Sequence, residues 1–254
     1  MNIPTTRLGL RPRPFIWVLL LGCILAYPLA PAVSSPSGDK RDYILVINTY
    51  AESTPWSRGI ITDITARVEQ IENLELYTEH INLLLVDSPR EIETFETNLL
   101  REYGKKPPRA LVLIGTPTAL LRNFINSIWK GIPTIVCAEQ DFVGPDKYYQ
   151  KRLPIPASEQ VPLRTLADRD NLTLLYSPAY LDQSIDLMKR ILPGMDRLIF
   201  IDDARYVNRQ TEHDLAELLD SKYGGIKYTV YSADEIGIDQ LLDSLSTVDV
   251  KRTG

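Results

Sequence analysis

Cysteine and histidine are nearly missing from this chain, and so are clustered bases and glycine loops of the kind that cradle phosphate. The two cysteines are Cys23 and Cys137, and the two histidines are His80 and His213. Neither histidine has a second His or Cys at ligand spacing, which removes support for a zinc site. Cys137 lies in the apolar run Ile135-Val136-Cys137 with no partner in the mature chain, so it reads as a buried, inert thiol. No Gly-x-Ser-x-Gly, Gly-x-Gly-x-x-Gly or Gly-Lys-Ser loop follows a strand-like run, so a nucleophile elbow, a dinucleotide fingerprint and a phosphate loop are all missing. Paired carboxylates occur without a positioned partner. No catalytic residue, metal or cofactor is therefore assigned.

Charge excludes a further class. The formal net charge is −5, and residues 1–33 contribute Arg7, Arg11 and Arg13 with no acid, leaving 25 basic against 33 acidic side chains in the remainder. A nucleic-acid interface needs clustered Lys and Arg to displace counterions, and none is visible.

What is present begins with a leader. Three arginines precede an apolar segment over 15–29, and Ala30-Pro31-Ala32 supplies small residues where a peptidase would cut. The segment is shorter than the roughly 20 residues that span a bilayer comfortably. It reads as a bacterial export signal, with an uncleaved anchor or a lipoprotein box at Leu20-Leu21-Gly22-Cys23 as rivals. The basic flank stays cytoplasmic, which places the rest of the chain in the periplasm, anchored to or released from the inner membrane.

Beyond a Ser/Pro/Gly linker, short β-branched runs alternate with helical patterns. Residues 43–47 form a strand-like run, and Ile60, Ile61, Ile64 and Val68 make a helical stripe after it. A period-two strand over 74–81 comes next, then a helix opened by Ser88, Pro89 and Glu91 as a capping box. Strands are expected at 110–114 and 132–138, with a helix over 119–130 between them. Residues 140–170 carry four prolines and no period, and read as an irregular functional loop. Strands are expected again at 172–176, 197–201 and 226–231, with helices over 178–192, 207–223 and 238–245. Val248-Asp249-Val250 looks like the start of an eighth strand, so the sequence reads as truncated. The alternation predicts an α/β fold of parallel sheets flanked by helices.

Asn48-Thr49-Tyr50 followed by Pro55-Trp56-Ser57 resembles the Asn-Ser-Tyr-x-x-x-x-Pro-Trp opening of a family of extracytoplasmic sensor domains. Gly131-Ile132-Pro133 to Asp141-Phe142 and the passage from Leu192-Pro193-Gly194 to Ile201 are similar to further segments of that family. The resemblance spans about 42–231. It implies a two-lobed fold like type I periplasmic binding proteins, serving as the input domain of Bacteroidetes-type sensor histidine kinases, often hybrid two-component proteins. The 140–170 loop is longer than in many relatives, the second lobe is incomplete, and the kinase boxes are absent. The implied organisation is a leader over 1–33, a linker over 34–41, a first lobe over 42–177 and a second over 178–254. Its implied partners are an unidentified small molecule, the membrane through the N-terminal segment, and a downstream kinase domain, with a homodimer as a candidate assembly. A substrate-binding protein of an ABC-type transporter shares that fold and is the rival. A dimerising module that binds nothing is the structural one.

In such a fold the ligand sits where strand C-termini converge. That nominates Asn48, Tyr50, Trp56, Thr116, Thr118, Glu139 and Asp141 from the first lobe, and Ser177, Asp202 and Asp203 from the second. Tyr50 and Trp56 would stack on a ring or sugar face, with the polar groups orienting it. Each has a structural alternative: Trp56 packing on the first helix, Asn48 and Thr116 satisfying turns, Asp202 and Asp203 capping the turn after them.

Overall fold

In the computed structural model the described residues are 41–82, 88–167 and 171–254. The expected leader, with Cys23 and most of the linker, lies outside them. The first strand, β1 (Asp42–Asn48), is central because both of its faces are apolar. Tyr43, Leu45 and Ile47 face one core, and Ile44 and Val46 the other, as a period of two requires. The helix α1 (Pro55–Val68) lays Ile60, Ile61 and Ile64 on the Val46 face. Two helices cover the Leu45 face: α2 (Pro89–Tyr103), through Ile92 and Leu99, and α3 (Arg122–Ile128), through Ile125. The expected capping box of α2 is present, with the Ser88 backbone N–H donating to Glu91 Oε2 at 3.0 Å.

The strands β2 (Leu74–His80), β3 (Ala110–Ile114), β4 (Thr134–Ala138) and β7 (Leu172–Tyr176) join β1 in a parallel five-stranded sheet of order β2-β1-β3-β4-β7. Burying one side chain such as Leu45 or Ile47 in it is worth about 1.5–3 kcal/mol. Cys137 sits in this core as a free thiol, and burial pushes its pKa up, which keeps it protonated and inert.

A second, smaller sheet pairs β8 (Arg197–Asp202) with β9 (Lys227–Ser232), also in parallel. The helices α6 (Leu181–Ile191) and α7 (Tyr206–Lys222) enclose its core around Ile185, Leu198, Leu215 and Leu219. The short helix α8 (Ile238–Ser246) leads to residues 252–254, which run along the free edge of β8. The order is therefore second-first-third in this sheet, as it is at β2-β1-β3. The chain is α/β, with parallel sheets flanked by helices. Among the described residues no helix is long and apolar enough to cross a membrane.

Four local expectations shift. The helix expected over 119–130 begins as a 3₁₀ turn, Thr116–Leu121, because Gly115 at φ +98° turns the chain sharply and the Thr118 hydroxyl bonds the Gly115 carbonyl at 2.8 Å. The helix expected from 178 starts at Leu181, since Tyr180 takes a left-handed conformation at φ +27°. Of the loop expected over 140–170, residues 140–167 are ordered as short pieces, and 168–170 lie outside the described residues. A two-residue ribbon pairs β5 (Phe142–Val143) with β6 (Val161–Pro162), beside the helices α4 (Asp146–Lys151) and α5 (Arg164–Ala167). Finally, 248–250 is a turn, held by the Lys251 N–H donating to Asp249 Oδ1 at 3.0 Å, so strand pairing starts only near Thr253.

Candidate functional site

The order of the large sheet reverses beside β1, which sends α1 to one face and α2 to the other. At such a point the loops after neighbouring strands diverge and leave a crevice. Here the loops after β1 and β3 approach so closely that a Cβ on Gly115 would lie 2.1 Å from Thr49 Oγ1. Only glycine fits there, in both space and φ. One carboxylate binds these loops to the end of β4. Glu139 Oε2 accepts from the backbone N–H and the hydroxyl of Thr116, each at 3.0 Å, and Oε1 accepts from the Tyr50 hydroxyl. Burial pushes the Glu139 carboxyl above its ordinary pKa, outweighing the Thr116 N–H and the positive charge of Arg205.

On the small sheet a guanidinium does the corresponding work. Arg209 donates from Nη1 to Asp202 Oδ2 at 3.1 Å and to Glu212 Oε2 at 3.3 Å, and from Nη2 to Ser232 Oγ at 3.1 Å, joining the ends of β8 and β9. Asp203 receives the Arg205 backbone N–H at 3.0 Å, its Nε at 2.9 Å and Asn208 Nδ2 at 2.8 Å. Burial pushes the Asp203 carboxyl up, but these donors and the Arg205 charge hold it below its ordinary pKa.

Between these two edges lies a cleft of about 570 Å³. Tyr50, Trp56, Glu139, Gln140 and Phe142 line it from the large sheet, and 176–183 from the crossover. Arg205, Asn208, Thr211 and Asp214 line it from the start of α7. The rings of Tyr50 and Trp56 meet edge to face at 5.8 Å, so Trp56 both packs on its own loop and presents a surface to the cleft. Gln140 is 6% exposed, and its Oε1 is buried with no partner among the described residues. An orphaned acceptor of this kind is costly to keep, which makes it a candidate to meet a ligand donor.

Of the residues nominated from the sequence, the cleft gathers Tyr50, Trp56, Glu139 and Ser177. The other six stand outside its lining. Asn48 is fully buried one layer behind, accepting the Tyr50 N–H and donating to Ser57 Oγ and His80 Nδ1. Thr116 supports Glu139, Thr118 closes the 3₁₀ turn, and Asp202 and Asp203 hold Arg209 and Arg205. Asp141 is exposed beside β5, where its carbonyl accepts from Leu163. Sequence reasoning passed over Gln140, Phe142, Tyr176, Tyr180, Arg205, Asn208, Thr211 and Asp214. A signal for the last three existed: 208, 211 and 214 recur at helical spacing, on a polar stripe beside the apolar Leu215 and Leu219.

The 140–167 segment, which gives Gln140 and Phe142 to the cleft, is fastened to α7. Gln210, fully buried in α7, accepts the Ile155 backbone N–H at 2.8 Å and donates to Asp214 Oδ1 at 2.8 Å. The rings of Tyr149 and Tyr206 pack against each other with centroids 4.6 Å apart, tilted by 60°. Burial raises the pKa of Asp214, against the pull of the Gln210 amide and His213. Among the described residues no group of three or more His, Cys, Asp or Glu is placed to hold a metal ion.

No protein-family model matches the chain, and no curated protein does. Solved structures that resemble the chain include the following two. One is a conserved domain protein from Vibrio cholerae O1 biovar El Tor, with 17% identity, a TM-score of 0.48, and coverage of 76% of this chain and 58% of that one. The other is the ligand-free, open form of a substrate binding protein with adhesive properties from Clostridium difficile, with 13% identity, a TM-score of 0.43, and coverage of 81% and 62%. The chain thus spans about three-fifths of each of these structures. Similarity this loose sets no constraint on function.

Proposed function

We propose that residues 41–254 belong to an extracytoplasmic ligand-binding module, the input domain of a sensor histidine kinase, whose output is a change in the relative orientation of the two sheets or of two copies of the chain. The observation that carries the binding step is the cleft itself. It has the volume of a small-molecule site and aromatic walls, and Gln140, whose buried Oε1 has no partner among the described residues, stands in its wall. The sensor context rests on the resemblance around Asn48-Thr49-Tyr50 and Pro55-Trp56-Ser57 and on the export-type leader. A ligand moves such an equilibrium only by binding one orientation more tightly than the other.

The test is a thermal-shift screen of sugars, amino acids and nucleosides, with the gene read past Gly254. A raised Tm that Trp56→Ala abolishes supports cleft binding, because any ligand held by the folded state alone must stabilise it. A second membrane segment and kinase boxes downstream support the sensor; a stop codon soon after a completed second sheet favours the transporter component instead. No stabilisation by any compound favours a dimerising module.

A further inference from the structure

The charge around the cleft is lopsided. Among the described residues three carboxylates line it, of which Asp182 is paired with Lys222 Nζ at 2.6 Å; Glu139 and Asp214 remain, against a single cationic side chain in the lining, Arg205. That cation is already engaged: Arg205 Nε and Nη2 both reach Asp203 at 2.9 Å. An anionic ligand would bring its charge beside Glu139 and Asp214 with no uncommitted cation in the lining to receive it, at a cost that a low local dielectric magnifies. A donor-bearing ligand meets the opposite situation. In the wall of the cleft the buried Gln140 Oε1 has no donor among the described residues, and Tyr50, Trp56, Phe142, Tyr176 and Tyr180 line the same space with rings. Aromatic faces attract cations, and more strongly once water is excluded.

We infer that the cleft takes an organic cation, an amine carrying an apolar or aromatic body, with its ammonium held by Asp214 and Gln140 and its body against the aromatic walls. This deepens the ligand-binding reading above and rests on it. Burial disfavours the ionised forms of Glu139 and Asp214, and a bound cation would relieve both.

The test compares three probes that share one ring and differ in charge: benzylamine, benzyl alcohol and benzoate. Each is titrated into the whole chain at millimolar concentration, with binding followed by ligand-observed NMR. Benzylamine is expected to bind at least about tenfold more tightly than the alcohol, and benzoate not to bind. Asp214→Asn should erase the preference for the amine over the alcohol. Gln140→Leu, which keeps the volume, should weaken the amine while the circular dichroism spectrum stays native. Equal or tighter binding of the alcohol or of benzoate overturns the inference and leaves the cleft reading standing. So does binding of a sugar, amino acid or nucleoside when none of the three probes binds. Silence from the three probes and from the wider screen overturns both.

Discussion

Two strand edges face each other across the cleft, and each is tied by one ionisable side chain of opposite sign. On the large sheet the acid Glu139 gathers donors from Thr116 and Tyr50; on the small sheet the base Arg209 gathers acceptors from Asp202, Glu212 and Ser232. Their positions differ in a way that matters. Glu139 lines the cleft, whereas Arg209 stands behind it, and the pair it makes with Asp202 has that carboxylate wholly removed from solvent. One tie is thus exposed to whatever enters the cleft, while the other serves the fold alone.

The largest effect should come from the tie that has no contact with the cleft. Arg209→Met strands the Asp202 carboxylate without its counter-charge, and about 3–5 kcal/mol of stability should be lost in a urea titration, with the cleft residues left in place. A loss under about 1 kcal/mol would reduce this tie to the rank of a surface pair. Next comes Gly115→Ala, which forces a Cβ onto Thr49 at a backbone angle hostile to L-residues; about 3 kcal/mol should go, and ligand stabilisation should fall with it because the Tyr50 loop must move. Glu139→Gln should cost less, about 1–3 kcal/mol near neutral pH, since one acceptor becomes a donor facing Tyr50 or Thr116.

That same variant separates the two ties by pH. The folded-state pKa of Glu139 is raised, so the native chain holds this proton where the unfolded chain has lost it. Its contribution to stability is therefore greatest below 4.5 and declines as pH rises from there through the folded value. Glu139→Gln should remove that part of the slope in urea midpoints measured across the range, leaving the part due to Asp214, which has the same sign. An unchanged slope would mean that Glu139 is better hydrated than its surroundings imply. The smallest effect belongs to Asp203→Ala, which frees Arg205 and the first turn of α7 for about 1 kcal/mol. It should also let benzoate bind, because the cleft then gains an uncommitted cation.

The sequence makes the strands of both sheets legible, because runs such as Ile44-Leu45-Val46-Ile47 and Leu111-Val112-Leu113-Ile114 can be satisfied only between two layers of helix. Ser88, Pro89 and Glu91 announce α2 for an equally local reason. The pieces between β4 and β7 escape notice because they are held by partners far along the chain: Ile155 by Gln210, Tyr149 by Tyr206. In the cleft, Tyr50, Glu139 and Ser177 could be found because each lies in the loop just past the end of a strand, and Trp56 because it stands in the first turn of the helix that follows such a loop. Asn208, Thr211 and Asp214 occupy no such loop. They lie along a helix, and their spacing marks a polar stripe on it without telling what that stripe faces until the large sheet stands opposite.

The bond from Ile155 to Gln210 has a mechanical side. It fastens an outgrowth of the large sheet to a helix of the small one between two fully buried residues, with the tilted rings of Tyr149 and Tyr206 beside it and Val207 packed on the other core of the large sheet. On the ligand-binding function proposed above, a rotation that leaves this seam in place costs less than one that breaks it, so the seam would be the pivot of such a motion.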